Sequence, residues 1–93
     1  MFKLGKVVMT NGVYRAMEFG GFDALSEIIS AFNRYKMCDW GDLSDSDKRL
    51  NDYAVKDNEY NRILARYNLD VGDIYIITEA DRSCTTILFV EEY

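Results

Sequence analysis

Within eight positions, Glu79, Asp81, Arg82, Ser83, Thr85 and Thr86 bring together two carboxylates, a guanidinium and three hydroxyls. Carboxylates beside hydroxyls can hold a divalent cation through oxygen ligands. Two carboxylates can also divide the roles of general acid and general base. A second polar knot, Asp39, Trp40 and Asp42, offers an aromatic wall and two more acids. The two groups together form a candidate site for a small ligand or for hydrolysis. Residues 79 and 81 share a side only if a strand continues through them, and the small, polar composition at this point marks a turn instead. No activated nucleophile is recognisable, because Ser83 has only carboxylates to serve as its base.

Each of these residues also has a structural role open to it. Asp81 can accept backbone N–H groups in an Asx-turn. Arg82 can pair with Glu79 or with an aspartate of the 39–42 loop, pinning that loop to the tip of a hairpin. Thr85 and Thr86 are ordinary strand residues, and Trp40 can plug the edge of a core.

Composition removes several chemistries. The chain has no His, so Ser–His and Cys–His catalysis and histidine zinc sites are excluded. Its two cysteines, Cys38 and Cys84, lie far apart and form no CxxC motif. Two reduced thiols in a reducing cytoplasm are expected, with no metal site and no cofactor. Gly20-Gly21 is a turn or helix-start signal rather than a phosphate loop. The N-terminal MFKLGKVVMTNG is interrupted by Gly5 and Lys6 and does not read as a signal peptide, and the apolar runs are too short for a membrane span.

Sixteen acids against eleven bases give a net charge of −5. Such a surface repels nucleic acid, so no direct nucleic-acid partner is expected. From Asp39 to Glu59, seven acids stand against three bases, leaving −4 of that charge in one segment. Usually this is a solvated helix face whose acids serve the helix N-terminus. It is also how a phosphate-mimicking surface would look, with Asp45, Asp47 and Asp52 facing a basic partner.

The elements that must position these groups can be read from periodicity. Ninety-three residues, 48% of them hydrophobic, suit a single domain with one core. Lys3 to Met9 reads as a short strand or an extended entry. Thr10 and Asn11 cap a short helix through Val13, Ala16 and Met17. A second helix is predicted from Asp23 to about Met37, with Leu25, Ile28, Ile29, Phe32 and Tyr35 at spacings of three and four. Ser44 caps a third, from about Asp45 to Lys56, with Leu50, Tyr53 and Ala54 as its inner stripe and Asp57-Asn58 as its stop. RILARY, Arg62 to Tyr67, fits helix or strand, and strand is favoured because a hairpin follows. Ile74 to Thr78 and Thr85 to Val90 form that hairpin. Both faces of each strand are apolar, as in central strands. The charged tail Glu91-Glu92-Tyr93 is expected to blunt a sheet edge. The expected fold is α+β: N-terminal helices packed on a small antiparallel sheet that ends in a C-terminal β-hairpin.

Three segments carry a resemblance: DWGDLSDSDKRLNDYAVK (Asp39 to Lys56), RILARY, and IYIITEADRSCTTILFVEEY (Ile74 to Tyr93). They are similar to a widespread family of small bacterial and mobile-element proteins. That family typically shows a GDWG-type loop, an acidic helix, a RILSAY-like strand and an ITEADRSxTT-type hairpin. Its members are sometimes labelled a restriction-system subunit, although this chain has no methyl-donor or catalytic motif of such a subunit. Val90 stands where the family usually has Pro. The resemblance implies a mobile-element accessory protein rather than a reaction. The expected function is therefore protein binding, with inhibition of a host defence nuclease, in the manner of an anti-CRISPR protein, as the leading form. The alternatives are a small-ligand-binding or hydrolytic protein using the hairpin tip, and a toxin–antitoxin type regulator.

Overall fold

The computed structural model describes residues 2–56 and 61–93. Its elements in chain order are β1 (Lys6–Met9), α1 (Asn11–Phe19), α2 (Gly21–Lys36), α3 (Asp45–Lys56), β2 (Ile63–Tyr67), β3 (Ile74–Thr78) and β4 (Cys84–Phe89). A single 3-10 turn, Val90–Glu92, follows. The four strands form one sheet in the order β1-β4-β3-β2. The fold is α+β, with all three α-helices preceding β2 in the chain.

The expected hairpin strands are the two central ones, which accounts for apolar residues on both of their faces. β3 and β4 run antiparallel, with Ile74 opposite Phe89 and Thr78 opposite Thr85. β2 is antiparallel to β3, with Ile63 opposite Thr78 and Tyr67 opposite Ile74. The sheet is mixed rather than wholly antiparallel, because β1 pairs with β4 in parallel, Lys6 opposite Cys84 through Met9 opposite Ile87. A parallel pair needs a long crossover; here the chain between them contains α1, α2, α3, β2 and β3.

Strand alternation sends Ile63, Ala65, Tyr67, Ile74, Ile76, Thr78, Thr85 and Ile87 inward, and all are buried. They meet Val13 of α1, Ile28, Ala31 and Tyr35 of α2, and Ala54 of α3. Thr10 caps α1 by accepting from the Val13 N–H at 3.4 Å. Gly20 ends it, donating to the Ala16 carbonyl at 2.9 Å. α2 starts at Gly21, two residues before the expected start at Asp23. Its inner stripe is Ala24, Ile28, Ala31 and Tyr35, while Ile29 is exposed. The two alanines let the helix approach closely, so the face is turned from the one that the larger side chains suggested.

α3 requires a larger correction. Its bounds are those expected, and the Ser44 hydroxyl accepts from the Asp47 N–H at 3.2 Å. Its inner residues, however, are Asn51 and Ala54, while Leu50 is 65% exposed and Tyr53 59% exposed. The reason lies in what the helix faces. The Asn51 amide donates to the Leu64 carbonyl at 2.9 Å and accepts from the Leu64 N–H at 3.4 Å. It thus stands in for a neighbouring strand on the outer edge of β2. An edge strand presents unpaired N–H and C=O groups, and an amide satisfies them where a methyl group would not. The expected stop at Asp57-Asn58 lies outside the described residues.

The tail also differs from expectation. Glu92 does not serve as a free edge charge. It accepts from the Thr10 hydroxyl at 2.7 Å and from the Phe89 N–H at 2.8 Å, tying the C-terminal turn to the cap of α1.

Candidate functional site

β3 and β4 are joined through Glu79–Ser83. The Glu79 N–H donates to the Cys84 carbonyl at 3.0 Å, and the Arg82 N–H to the Glu79 carbonyl at 2.8 Å. Asp81 accepts from the Ser83 N–H at 2.9 Å, the Asx-turn that its position suggested. The Ser83 bonds hold its carboxyl below the usual carboxylate range. A general acid needs a raised value, so this shift runs against an acid role for Asp81.

Arg82 has φ of 62°, in the left-handed region that costs a non-glycine residue energy. This backbone turns its side chain back under the tip. Nη1 donates to the carbonyls of Asn61 at 2.7 Å, Glu79 at 3.2 Å and Ala80 at 3.2 Å, and Nη2 to that of Ala54 at 3.2 Å. Ala54 lies in the last turn of α3, where carbonyls lack intrahelical partners and a cation is favoured. Among the described residues, Arg82 bonds to these carbonyls and not to the 39–42 loop. It clamps three segments through backbone oxygens: the end of α3, the approach to β2, and the tip itself.

Beneath the tip runs a buried chain of hydroxyls. Thr85 donates to the Leu4 carbonyl at 2.6 Å, so it accepts from Thr78 at 2.8 Å. Thr78 in turn accepts from Tyr35 at 2.6 Å. One direction of donation satisfies every member. Burial pushes the Tyr35 hydroxyl well above its ordinary value, which keeps it a donor. Thr85 is completely buried, whereas Thr86 points to the opposite face of the sheet, within 3.9 Å of the Cys84 sulfur. The two threonines that the sequence placed side by side thus serve different faces.

The other knot is equally occupied. Asp39 pairs with Arg34 at 2.8 Å, and the guanidinium beside it holds its carboxyl below the usual range. The Asp39 carboxylate also accepts from the Gly41 N–H at 3.1 Å, and its carbonyl from the Tyr67 hydroxyl at 2.7 Å. Trp40 is 3% exposed and packs edge-on against Tyr35 at 5.5 Å, and its indole N–H donates to Asp52 at 2.8 Å. Asp42 donates its N–H to the Arg66 carbonyl at 2.7 Å and accepts from the Asn68 N–H at 2.9 Å. Between them Gly41 has φ of 74°, and a Cβ there would collide with the Arg66 carbonyl.

These contacts place the two knots apart. The loop meets the sheet at Arg66 to Asn68, and the tip meets it at Asn61. Five residues of extended chain separate those points, about 15 Å. The structure brings Glu79, Asp81, Arg82, Ser83 and Thr85 together, and separately Asp39, Trp40, Asp42 and Asp52. It does not join them into one pocket. Among the described residues, no group of three or more Cys, Asp or Glu is placed to hold a metal ion. Both cysteines are free thiols.

Of the three acids expected to face a partner, Asp45 and Asp47 are exposed at the start of α3, while Asp52 also receives the Trp40 indole. Asp57 and Glu59, which complete the −4 segment, lie outside the described residues. Tyr35, Thr78 and Arg34 were missed as partners of the site residues, and Asn51 as the residue that holds the β2 edge. Thr78 had a signal: its strand parity matches Ile74 and Ile76, which places a hydroxyl inside a core where it needs a partner. No family model, no curated protein and no solved structure matches the chain.

Proposed function

We propose that the chain acts by binding another protein, through the outer face of α3. One observation carries this: Leu50 and Tyr53 are exposed on a helix that also holds Asp45 and Asp47 in solvent. Exposed apolar side chains rimmed by charge are the usual make-up of a recognition surface. Tyr is a frequent anchor, while acids steer a basic partner and set its orientation. At the β3–β4 tip, by contrast, Asp81, Arg82 and Thr85 are engaged in internal bonds.

The resemblance of the hairpin and loop segments to mobile-element proteins suggests the setting. In that setting the partner is a host defence nuclease, whose nucleic-acid groove is basic, and the chain inhibits it by occupying that groove rather than by catalysis. The net charge of −5 is consistent with this mode of action.

A pull-down from host lysate at low and high salt tests the reading. The expected result is one stoichiometric, basic protein whose capture falls as salt rises. Paired reversal, Asp45→Lys with Asp47→Lys, or truncation by Tyr53→Ala, should weaken capture at least tenfold while the fold stays intact. Capture and inhibition unchanged by all three substitutions would sink the α3 surface as the site.

A further inference from the structure

The two outer edges of the sheet are treated differently. On β2, Asn51 and Asp42 occupy the edge by bonding to Leu64 and Arg66. On β1, the Lys6 N–H donates to the Ser83 carbonyl and the Thr10 N–H to the Ile87 carbonyl. Even-numbered residues therefore face β4, and alternation turns the N–H and C=O groups of Val7 and Met9 away from the sheet. Among the described residues, no strand pairs with that side of β1. Val7 and Met9 are also 42% and 39% exposed. Beside them a shallow apolar groove runs between Met9 and the α1 residues Tyr14 and Met17, with Glu18 at its rim. Natural proteins usually blunt such an edge with charge, proline or a bulge. This edge carries only Lys6.

We propose that β1 is a homodimer interface, in which two copies pair antiparallel about a two-fold axis through Val8 and join their sheets into one of eight strands. The register follows from the outward-facing groups. Val7 of one copy exchanges both hydrogen bonds with Met9 of the other, and Met9 does so with Val7, which makes four bonds in all. Val8 then faces its own copy in the close pair on the axis. On the helix-covered face, each Val7 side chain lies beside the partner copy's Met9 and extends the wall of the groove.

Charge selects a second copy over an arbitrary extended peptide. The same register sets Lys6 opposite Thr10 of the other copy, in a pair of the close type. Thr10 donates to Glu92 at 2.7 Å, so that carboxylate stands where the incoming ammonium arrives. The two-fold axis repeats the Lys6–Glu92 pair at both ends of the seam. Such self-complementarity is what an isologous interface requires. β2 and α3 lie at the other edge of the sheet, so both copies keep their α3 faces open, and the dimer presents two of them.

Sedimentation of the full chain over a concentration series reaching about 200 µM gives the test, since even millimolar association is then detectable. A reversible dimer is expected. Met9→Pro removes an N–H that points away from β4, so it should raise the dissociation constant at least tenfold and leave the thermal unfolding of the monomer near wild type. Lys6→Glu should raise the constant about fivefold; it decides the matter alone if Met9→Pro fails to fold. A wild-type chain that remains monomeric throughout overturns the proposal. So does a dimer that Lys6→Glu leaves as tight as the wild type.

Discussion

At the β3–β4 tip, side chains that look chemically active bond to the protein itself: Asp81 to a turn amide, Arg82 to four carbonyls, Thr85 to Leu4. On the outer face of α3, Leu50 and Tyr53 look like core residues and stand in solvent. The difference separates reactivity of residue type from availability of the group. A hydroxyl or guanidinium whose bonds are satisfied inside the fold supports architecture. A tyrosine that is 59% exposed, as Tyr53 is, has surface left to meet a partner. The dense polar stretch therefore reads as a fastener, and the plainer helix as the surface.

Substitution at the two places should give opposite phenotypes, and the largest effect is expected at the tip. Arg82→Ala leaves carbonyls at the end of α3 and beside β2 without a charged donor. A loss of about 2–3 kcal/mol is expected, since bonds to charged groups are among the stronger ones. In a domain of this size that lowers the melting temperature by roughly 10–20 °C. Arg82→Lys should recover little, because an ammonium cannot span four carbonyls from one position. Tyr53→Ala on α3 should change stability by less than about 0.5 kcal/mol. Calorimetry of the three variants would break the comparison if Tyr53→Ala proved the more damaging.

A smaller effect sharpens the same contrast within the tip. Thr85→Val keeps the shape and removes the donor to Leu4, leaving one part-buried carbonyl and the buried Thr78 hydroxyl without their partner. The expected cost is about 1–2 kcal/mol. Thr86→Val, one residue away but on the other face, should cost almost nothing or stabilise the strand slightly. Equal effects from the two would mean that the hydroxyl chain from Tyr35 to Leu4 contributes nothing to the fold.

How much of this was legible depended on the range of the signal. Ser44 as a cap, the span of α3, RILARY as a strand and the Asx-turn at Asp81 rest on neighbours a few residues apart, and all appear in the structure. The face of α3 was misread because periodicity shows which residues share a side, not what that side will meet. Opposite the polar edge of β2, Asn51 is the better inward residue. The partners of Arg82 were hidden for a related reason. Sequence shows carboxylates as candidate partners for a guanidinium, whereas backbone carbonyls are present everywhere and mark no position. The parallel pairing of β1 with β4 is a contact across most of the chain, and nothing local announces it.

The smallest expected effect concerns pH and the fastened acids. Arg34 beside Asp39 holds its carboxyl below the ordinary value of 3.8, and the Thr10 hydroxyl with the Phe89 N–H does the same for Glu92 relative to 4.5. A carboxyl depressed in the folded state contributes stability that is fully present above its unfolded value and is lost as pH falls through the folded one. Stability should therefore be level in the neutral range and decline as pH drops below about 4.5 and then 3.8. Both groups are largely exposed, so the decline is shallow. Asp39→Asn should flatten its lower part, because the amide removes the titration along with most of the attraction to Arg34. Acid unfolding followed by circular dichroism gives the slope, and an unchanged slope in Asp39→Asn would remove Asp39 from the fastened acids.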